Sequence, residues 1–224
     1  MHRKLKLELK FSAILKPKGK NGFIQTLPFG SKVLDVGCGN ESPKRTKTLR
    51  SDLHYTGVDI AAYNQSENSL LFADRYIELL PESFDKGIKN LGCHFDAVIS
   101  SHNLEHCFNP ESVLDSMIFV LKPGGYLFLS FPSEPSVHFP SRFGTLNYFD
   151  DPTHREMLKY DQIIQAIEKF GMSIQFATKQ YKPALLYLLG LLGEPISRLT
   201  NRPVPFGATW AFYGFESIII SKKN

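Results

Sequence analysis

Residues 33–39 read VLDVGCG, an apolar run broken by one acid and closed by two glycines one residue apart. A run this short, ending at a turn, fits a buried strand better than a helix. The glycines allow a tight turn and a close approach of another group to the backbone. Ser42-Pro43 then offers an N-cap followed by proline at the first helical position. A strand, a glycine turn and a helix in this order commit the chain to parallel strand pairing, with helices covering the sheet.

The rest of the chain keeps that rhythm for a hundred residues. Asn21-Gly22 and Pro28 to Ser31 read as loop before the first strand, and the opening LKLELKF fits strand by alternation and helix by residue type. A helix is expected over Pro43–Arg50, and strands over Tyr55–Ile60 and Leu70–Ala73. A helix follows over Glu82–Leu91, then a strand over Phe95–Ser100. Asn109-Pro110 caps a helix running to about Leu121, which Lys122-Pro123-Gly124-Gly125 stops. A fifth strand spans Tyr126–Phe131. Pro132–Arg155 is a long loop with several aromatics, and loops of that length are often lids or binding loops. A helix over Asp161–Phe170, a strand over Met172–Thr178, an apolar helical stretch over Tyr181–Leu199 and a last strand over Ala211–Ser221 complete the reading. The expected fold is α/β and doubly wound: a mostly parallel seven-stranded sheet with helices on both faces. The expected division is an N-terminal extension over 1–30 and one domain over 31–224. Within that domain lie a lid-like loop over 132–155 and an apolar helical insertion over about 181–208.

In a sheet of this kind, ligands bind beyond the carboxyl ends of the strands, where strand order switches. Gly37 and Gly39 belong there, and the helix that follows offers free N–H groups to an anion. Asp59 closes the second strand about twenty residues later, where a carboxylate can accept from both hydroxyls of a ribose. A dinucleotide fingerprint needs G-x-G-x-x-G, but Gly37-Cys38-Gly39-Asn40-Glu41-Ser42 lacks the third glycine. Asp35 sits directly before the turn. A carboxylate repels a pyrophosphate and stabilises a cationic ligand such as the methionine end of S-adenosylmethionine. Asp35 can also bond the turn amides.

The sequence resembles the class I S-adenosylmethionine-dependent methyltransferases. The matching elements are VLDVGCGN, the acid in YTGVDI, FDAVISSHNLEH and LKPGGYLFLSFP, in the family's order. The resemblance covers Val33–Pro132 closely, and the two later strands also fit the family's sheet, which implies an antiparallel last strand. It implies S-adenosyl-L-methionine as cofactor, with Asp35, Gly37 and Gly39 at its methionine portion. Asp59 would hold the ribose, with Ile60 beside the adenine. Asp74, taken to follow the third strand, would bond the adenine amino group. Ser100, Ser101 and His102 would line the reactive end.

An oxygen acceptor must lose a proton during methyl transfer, so a general base helps. Histidine suits that task near neutral pH. His106, in SHNLEH, and His154, in FDDPTHR beside Asp150 and Asp151, are the catalytic candidates. No metal is expected. Phe139, Phe143, Tyr148 and Phe149 either stack on an acceptor or pin the loop to the core. For Ala184–Gly193, burial in the fold or at a homodimer interface is preferred to a membrane-surface patch.

The formal net charge is +4, and much of the excess lies before Arg50. A solvated face is preferred to an RNA-binding one, because no aromatics are interleaved with the second basic cluster. Three cysteines, Cys38, Cys93 and Cys107, form neither a disulfide framework nor a zinc pattern. No apolar run reaches membrane-spanning length, and the N-terminus lacks the apolar core of a signal peptide. A cytoplasmic, reducing compartment is expected. The preferred activity is O-methylation of a small molecule or saccharide. An RNA or protein methyltransferase using the basic N-terminal segment, a nicotinamide oxidoreductase and a non-catalytic cofactor-binding module are the alternatives.

Overall fold

The computed structural model describes residues 18–224, so the LKLELKF segment lies outside the described residues. Seven strands form one sheet: β1 (Lys32–Val36), β2 (His54–Asp59), β3 (Arg75–Glu78), β4 (Phe95–Ser101), β5 (Leu121–Pro132), β6 (Met172–Thr178) and β7 (Glu216–Lys223). Their order is β3-β2-β1-β4-β5-β7-β6. β1 pairs in parallel with both β2 and β4, and β7 pairs antiparallel with β5 and β6. The expected doubly wound sheet with an antiparallel last strand is therefore present. The switch in strand order falls between β1 and β4, at the glycine turn.

Side-chain alternation along the strands divides the core in two. Val33, Ala97, Ile99, Phe128 and Ile218 pack on one face with Phe23, Ile24 and Leu27. Leu34, Val36, Val98, Leu127, Leu129 and Ile219 pack on the other with Ile88, Leu114 and Ile167. The helices are α1 (Lys20–Thr26), α2 (Ser42–Leu49), α3 (Glu67–Leu70), α4 (Phe84–Lys89), α5 (Pro110–Phe119), α6 (Tyr160–Lys169), α7 (Ala184–Thr200) and α8 (Ala208–Tyr213). Pro43 and Pro110 stand in the first turns of α2 and α5, where the missing N–H costs nothing.

Four local expectations are corrected. Asn21-Gly22 is not loop but part of α1, because Phe23 and Ile24 gain burial against the sheet. Leu70 ends α3 rather than opening a strand: the Ser66 side chain caps that short helix by accepting from the Ser69 N–H. The third strand is Arg75–Glu78, a half-buried edge strand whose sequence RYIE has little apolar signal. The last strand starts at Glu216, since Ala208–Tyr213 forms α8 and Gly214, at φ 74°, ends it. The stretch from Pro132 to Arg155 holds two 3₁₀ turns, Glu134–His138 and Tyr148–Asp150. It is ordered by one carboxylate: Asp150 accepts from the backbone N–H of Arg142, Leu146 and Asn147 at 3.1, 2.9 and 2.8 Å.

Candidate functional site

The glycine turn is built from both sides. Gly37 donates to the Val58 carbonyl at 2.9 Å and has φ 72°. A Cβ there would stand 2.4 Å from Asn103 Oδ1, so conformation and space both demand glycine. At Gly39, a Cβ would meet Tyr63 at 3.0 Å. Contact with Asn103 brings the segment after β4 directly against the turn. The 3₁₀ turn Leu104–His106 follows at once.

Asp35 lies under this turn with no exposed surface. Lys20 Nζ donates to its two oxygens at 3.2 and 2.9 Å. Ser42 Oγ and the Tyr55 hydroxyl donate to it at 2.6 and 2.8 Å. Its charge is thus answered inside the fold. The direct ligand contact expected of Asp35 gives way to a structural one: it ties α1, α2 and β2 together beneath the glycines. A buried carboxylate with a cation and two hydroxyl donors is satisfied without any ligand. Lys20 was missed by sequence reasoning, because a lysine in a basic run carries no mark of a partner fifteen residues away.

Asp59 closes β2 at 9% exposure and accepts from the Ile60 N–H at 2.8 Å. Burial raises its pKa above the ordinary carboxylate value, partly offset by backbone N–H donors. Ile60 is largely exposed beside it. Asp74 is elsewhere. It precedes β3 rather than following it, and its Oδ2 accepts from the Tyr55 N–H at 2.7 Å and from Lys47 Nζ at 3.0 Å. Tyr55 opens β2 while Asp59 closes it, so Asp74 stands at the opposite end of the sheet from the glycine turn. Its adenine role is withdrawn.

Beyond β4 the three expected residues separate. Ser100 is fully buried, and its Oγ has no hydrogen-bond partner among the described residues. Ser101 Oγ pairs with Ser130 Oγ at 2.9 Å. His102 has φ 52°, a left-handed conformation that turns its ring away from the strand direction. The ring lies between Glu105 Oε1, 3.3 Å from Nδ1, and Glu216 Oε1, 3.4 Å from Nε2. It stacks on Phe215 with centroids 5.8 Å apart. Burial alone would lower the His102 pKa, but the hydrogen bonds and charges of Glu105 and Glu216 outweigh it and push it up to about 10. His102 is therefore an imidazolium clasp between the end of β4 and the start of β7.

A raised histidine pKa stabilises the fold fully below the unfolded value, near 6.5, and the contribution disappears as pH rises through about 10. Glu216→Gln is expected to cost about 1 kcal/mol at pH 7, the upper end for partly exposed pairs. It should also flatten the loss of stability between pH 7 and 10. Urea denaturation at several pH values measures both; an unchanged slope would remove the clasp.

His106 and His154 are brought together, with ring centroids 4.8 Å apart. The Tyr148 carbonyl lies 2.6 Å from His154 Nδ1. A carbonyl only accepts, so Nδ1 carries the proton and Nε2 of the neutral ring is bare. Thr153 Oγ1 donates to Asp151 at 2.6 Å and lies 2.9 Å from His106 Nδ1. Its single proton is committed to Asp151, so it accepts from His106 Nδ1–H and leaves that Nε2 bare too. Glu105 beside them is fully buried, and its Oε1 faces His102 Nδ1 at 3.3 Å. One donor atom from each of Glu105, His106 and His154 lies within 4.8 Å of the others. Such a set can move protons, and its donors also suit a divalent transition ion.

The glycine cradle, the orphaned Ser100 hydroxyl and the acceptor carboxylate of Asp59 fit a nucleoside ligand with a short polar tail. Comparison with known proteins points the same way. The profile of a family described as "Methyltransferase domain" matches residues 2–175. The ubiquinone biosynthesis O-methyltransferase of Dechloromonas aromatica is 32% identical over 103 residues, 45% of this chain and 44% of that protein. The chain thus matches less than half the length of that curated relative. Among solved structures, an S-adenosylmethionine-dependent methyltransferase from Archaeoglobus fulgidus superposes with a TM-score of 0.52 at 18% identity, covering 100% of this chain and 95% of that one. Phosphoethanolamine N-methyltransferase 2 of Haemonchus contortus, solved with S-adenosyl-L-methionine, superposes with a TM-score of 0.58 at 14% identity, covering 91% and 52%. At these identities the structures establish the shared fold.

Proposed function

We infer the activity from one premise: the chain belongs to the family of methyltransferase domains. Its cofactor is S-adenosyl-L-methionine, whose sulfonium supplies an electrophilic methyl group. We propose that the chain methylates a hydroxyl oxygen of a small molecule. The observation that carries this reading is a juxtaposition. The Gly37 turn touches Asn103, and three residues on stands His106, paired with His154. A cradle for the cofactor and a pair of bare imidazole nitrogens thus share one end of the sheet.

In this reading Gly37 and Gly39 let the cofactor approach the backbone. Asp59 accepts from its ribose hydroxyls, with Ile60 along the base. Ser100 offers its unpartnered hydroxyl beneath the site. Either imidazole Nε2 takes the proton of the acceptor hydroxyl as the oxygen attacks, and the other passes it on towards solvent. The methyl leaves an already cationic sulfur, so alignment and exclusion of water are the enzyme's main tasks. Residues 132–155 bring His154 and Tyr148 to that place and act as the acceptor-facing wall of a single domain, which takes in α1 as well as residues 31–224, since Phe23, Ile24 and Leu27 pack in its core and Lys20 holds Asp35.

The choice of oxygen is carried over from the Dechloromonas relative, whose name specifies O-methylation. A small-molecule acceptor, a saccharide among the candidates, and a cytoplasmic location complete the proposal. Among the described residues no helix is long and apolar enough to cross a membrane. The test is a product-mass assay with S-adenosylmethionine over a panel of catechols, other phenols, sugars, amines and total RNA. A mass gain of one methyl on a hydroxyl-bearing small molecule is expected. Methylation confined to amines or RNA would overturn the choice of acceptor.

A further inference from the structure

Helix α7 is inside out. Its buried positions are Gly190, Glu194 and Ser197. Leu185, Leu188, Leu189, Leu192, Ile196 and Leu199 all point to solvent, at 48–88% exposure. The earlier expectation that this stretch is buried in the fold does not hold. The orientation is fixed from within. A Cβ on Gly190 would stand 2.1 Å from the Ala208 carbonyl, and one on Gly193 2.7 Å from Val204, so only this face can approach α8 so closely. Glu194 accepts from the Tyr213 hydroxyl at 2.6 Å and from Arg198 Nε at 2.9 Å, and pairs with Arg142 at 3.5 Å. Turning the leucines inward would break these bonds.

The exposed charges around the helix have one sign. Lys182 precedes it, Arg202 follows it, and Arg198, paired with Glu194, lies in its last turn; all three are exposed. Glu194 is the only acid between residues 180 and 207, and it is buried. The neighbouring turn adds an apolar tip, Phe206, 93% exposed. The turn and α8, PFG and ATWAFY, carry no charge. A contiguous apolar face of this size is rare on a soluble monomer and marks a docking surface. A second copy suits it poorly: an isologous contact along α7 sets cations against cations, with no exposed carboxylate on the helix to answer them. An anionic lipid surface meets both features at once, taking leucines at the acyl boundary and basic residues among the phosphates.

We propose that α7 is an interfacial helix that docks the domain on anionic membrane, lying in the plane of the surface. The test is co-sedimentation with sucrose-loaded vesicles of phosphatidylglycerol and phosphatidylcholine, 1:1, against phosphatidylcholine alone. Wild-type protein is expected to prefer the anionic vesicles roughly tenfold or more. The double variant Leu188→Glu/Leu192→Glu is expected to lose that binding while keeping its circular dichroism melting curve, since both side chains already face water. Lys182→Gln/Arg202→Gln should reduce the preference for anionic lipid. Wild-type protein that ignores anionic vesicles, or a leucine variant that binds them equally, overturns the proposal. So does a concentration-dependent dimer in light scattering that the leucine variant dissolves.

Discussion

Replacing Asp59 with alanine is expected to weaken binding of S-adenosylhomocysteine by roughly 10- to 100-fold, about 1.5–3 kcal/mol for hydrogen bonds to a charged group. Asp59 ends β2 at the carboxyl side of the sheet, next to the glycine turn, and among the described residues its charge is not met by a cation as that of Asp35 is. Burial already favours its neutral form. A ligand that needs two acceptor oxygens must hold it ionised, so binding in the wild type releases a proton as pH falls into the range where Asp59 titrates. Affinity should therefore weaken on acidification, and Asp59→Ala should remove that dependence. Calorimetric titration reads both effects. Unchanged affinity in the variant would remove Asp59 from the ribose site.

Replacing His106 or His154 with alanine is expected to lower kcat by roughly 10²- to 10⁴-fold, the range for loss of a general base. KM for the cofactor should hardly move, because neither ring is part of the glycine cradle. The two side chains are 48 residues apart in the chain, and Thr153, next to His154, bonds His106, so the double variant should cost little more than the worse single one. Treatment with a chelator separates the two uses of the Glu105–His106–His154 set. Proton transfer alone leaves activity unchanged by the chelator. Activity that is lost and then restored by a divalent ion would reassign the set to metal binding. A variant with full kcat would end the catalytic role of that histidine.

What the sequence made legible was whatever local chemistry announces. Val33–Val36, Tyr55–Asp59 and Phe95–Ser100 are apolar runs bounded by turns, and the sheet order follows from their alternation with helices. The placement of the glycines and Asp59 at the carboxyl ends of β1 and β2 was legible, because a glycine turn closes the first apolar run and an acid closes the second. The third strand was not, since LLFA is more apolar than RYIE yet Leu70 ends the Ser66-capped α3 and Leu71–Ala73 turn away from it. The roles of Asp35 and Asp74 were hidden for a related reason. An acid next to a ligand-binding turn looks the same whether a ligand or Lys20 answers its charge, and Asp74 changes ends of the sheet when β3 shifts. The orientation of α7 was hidden because Gly190, Gly193 and Glu194 decide it through contacts with α8, Val204 and Arg142. His106 and His154 were each named by type and place; their contact is a tertiary fact.

The central claim is that the carboxyl ends of β1, β2 and β4 form an S-adenosylmethionine site. Isothermal titration of the wild-type chain with S-adenosylhomocysteine tests it most directly, with NAD⁺ as the control nucleotide. Saturable binding of one S-adenosylhomocysteine per chain, with no heat from NAD⁺, is the predicted result. Absence of S-adenosylhomocysteine binding by folded protein, or binding of NAD⁺ in its place, would contradict it.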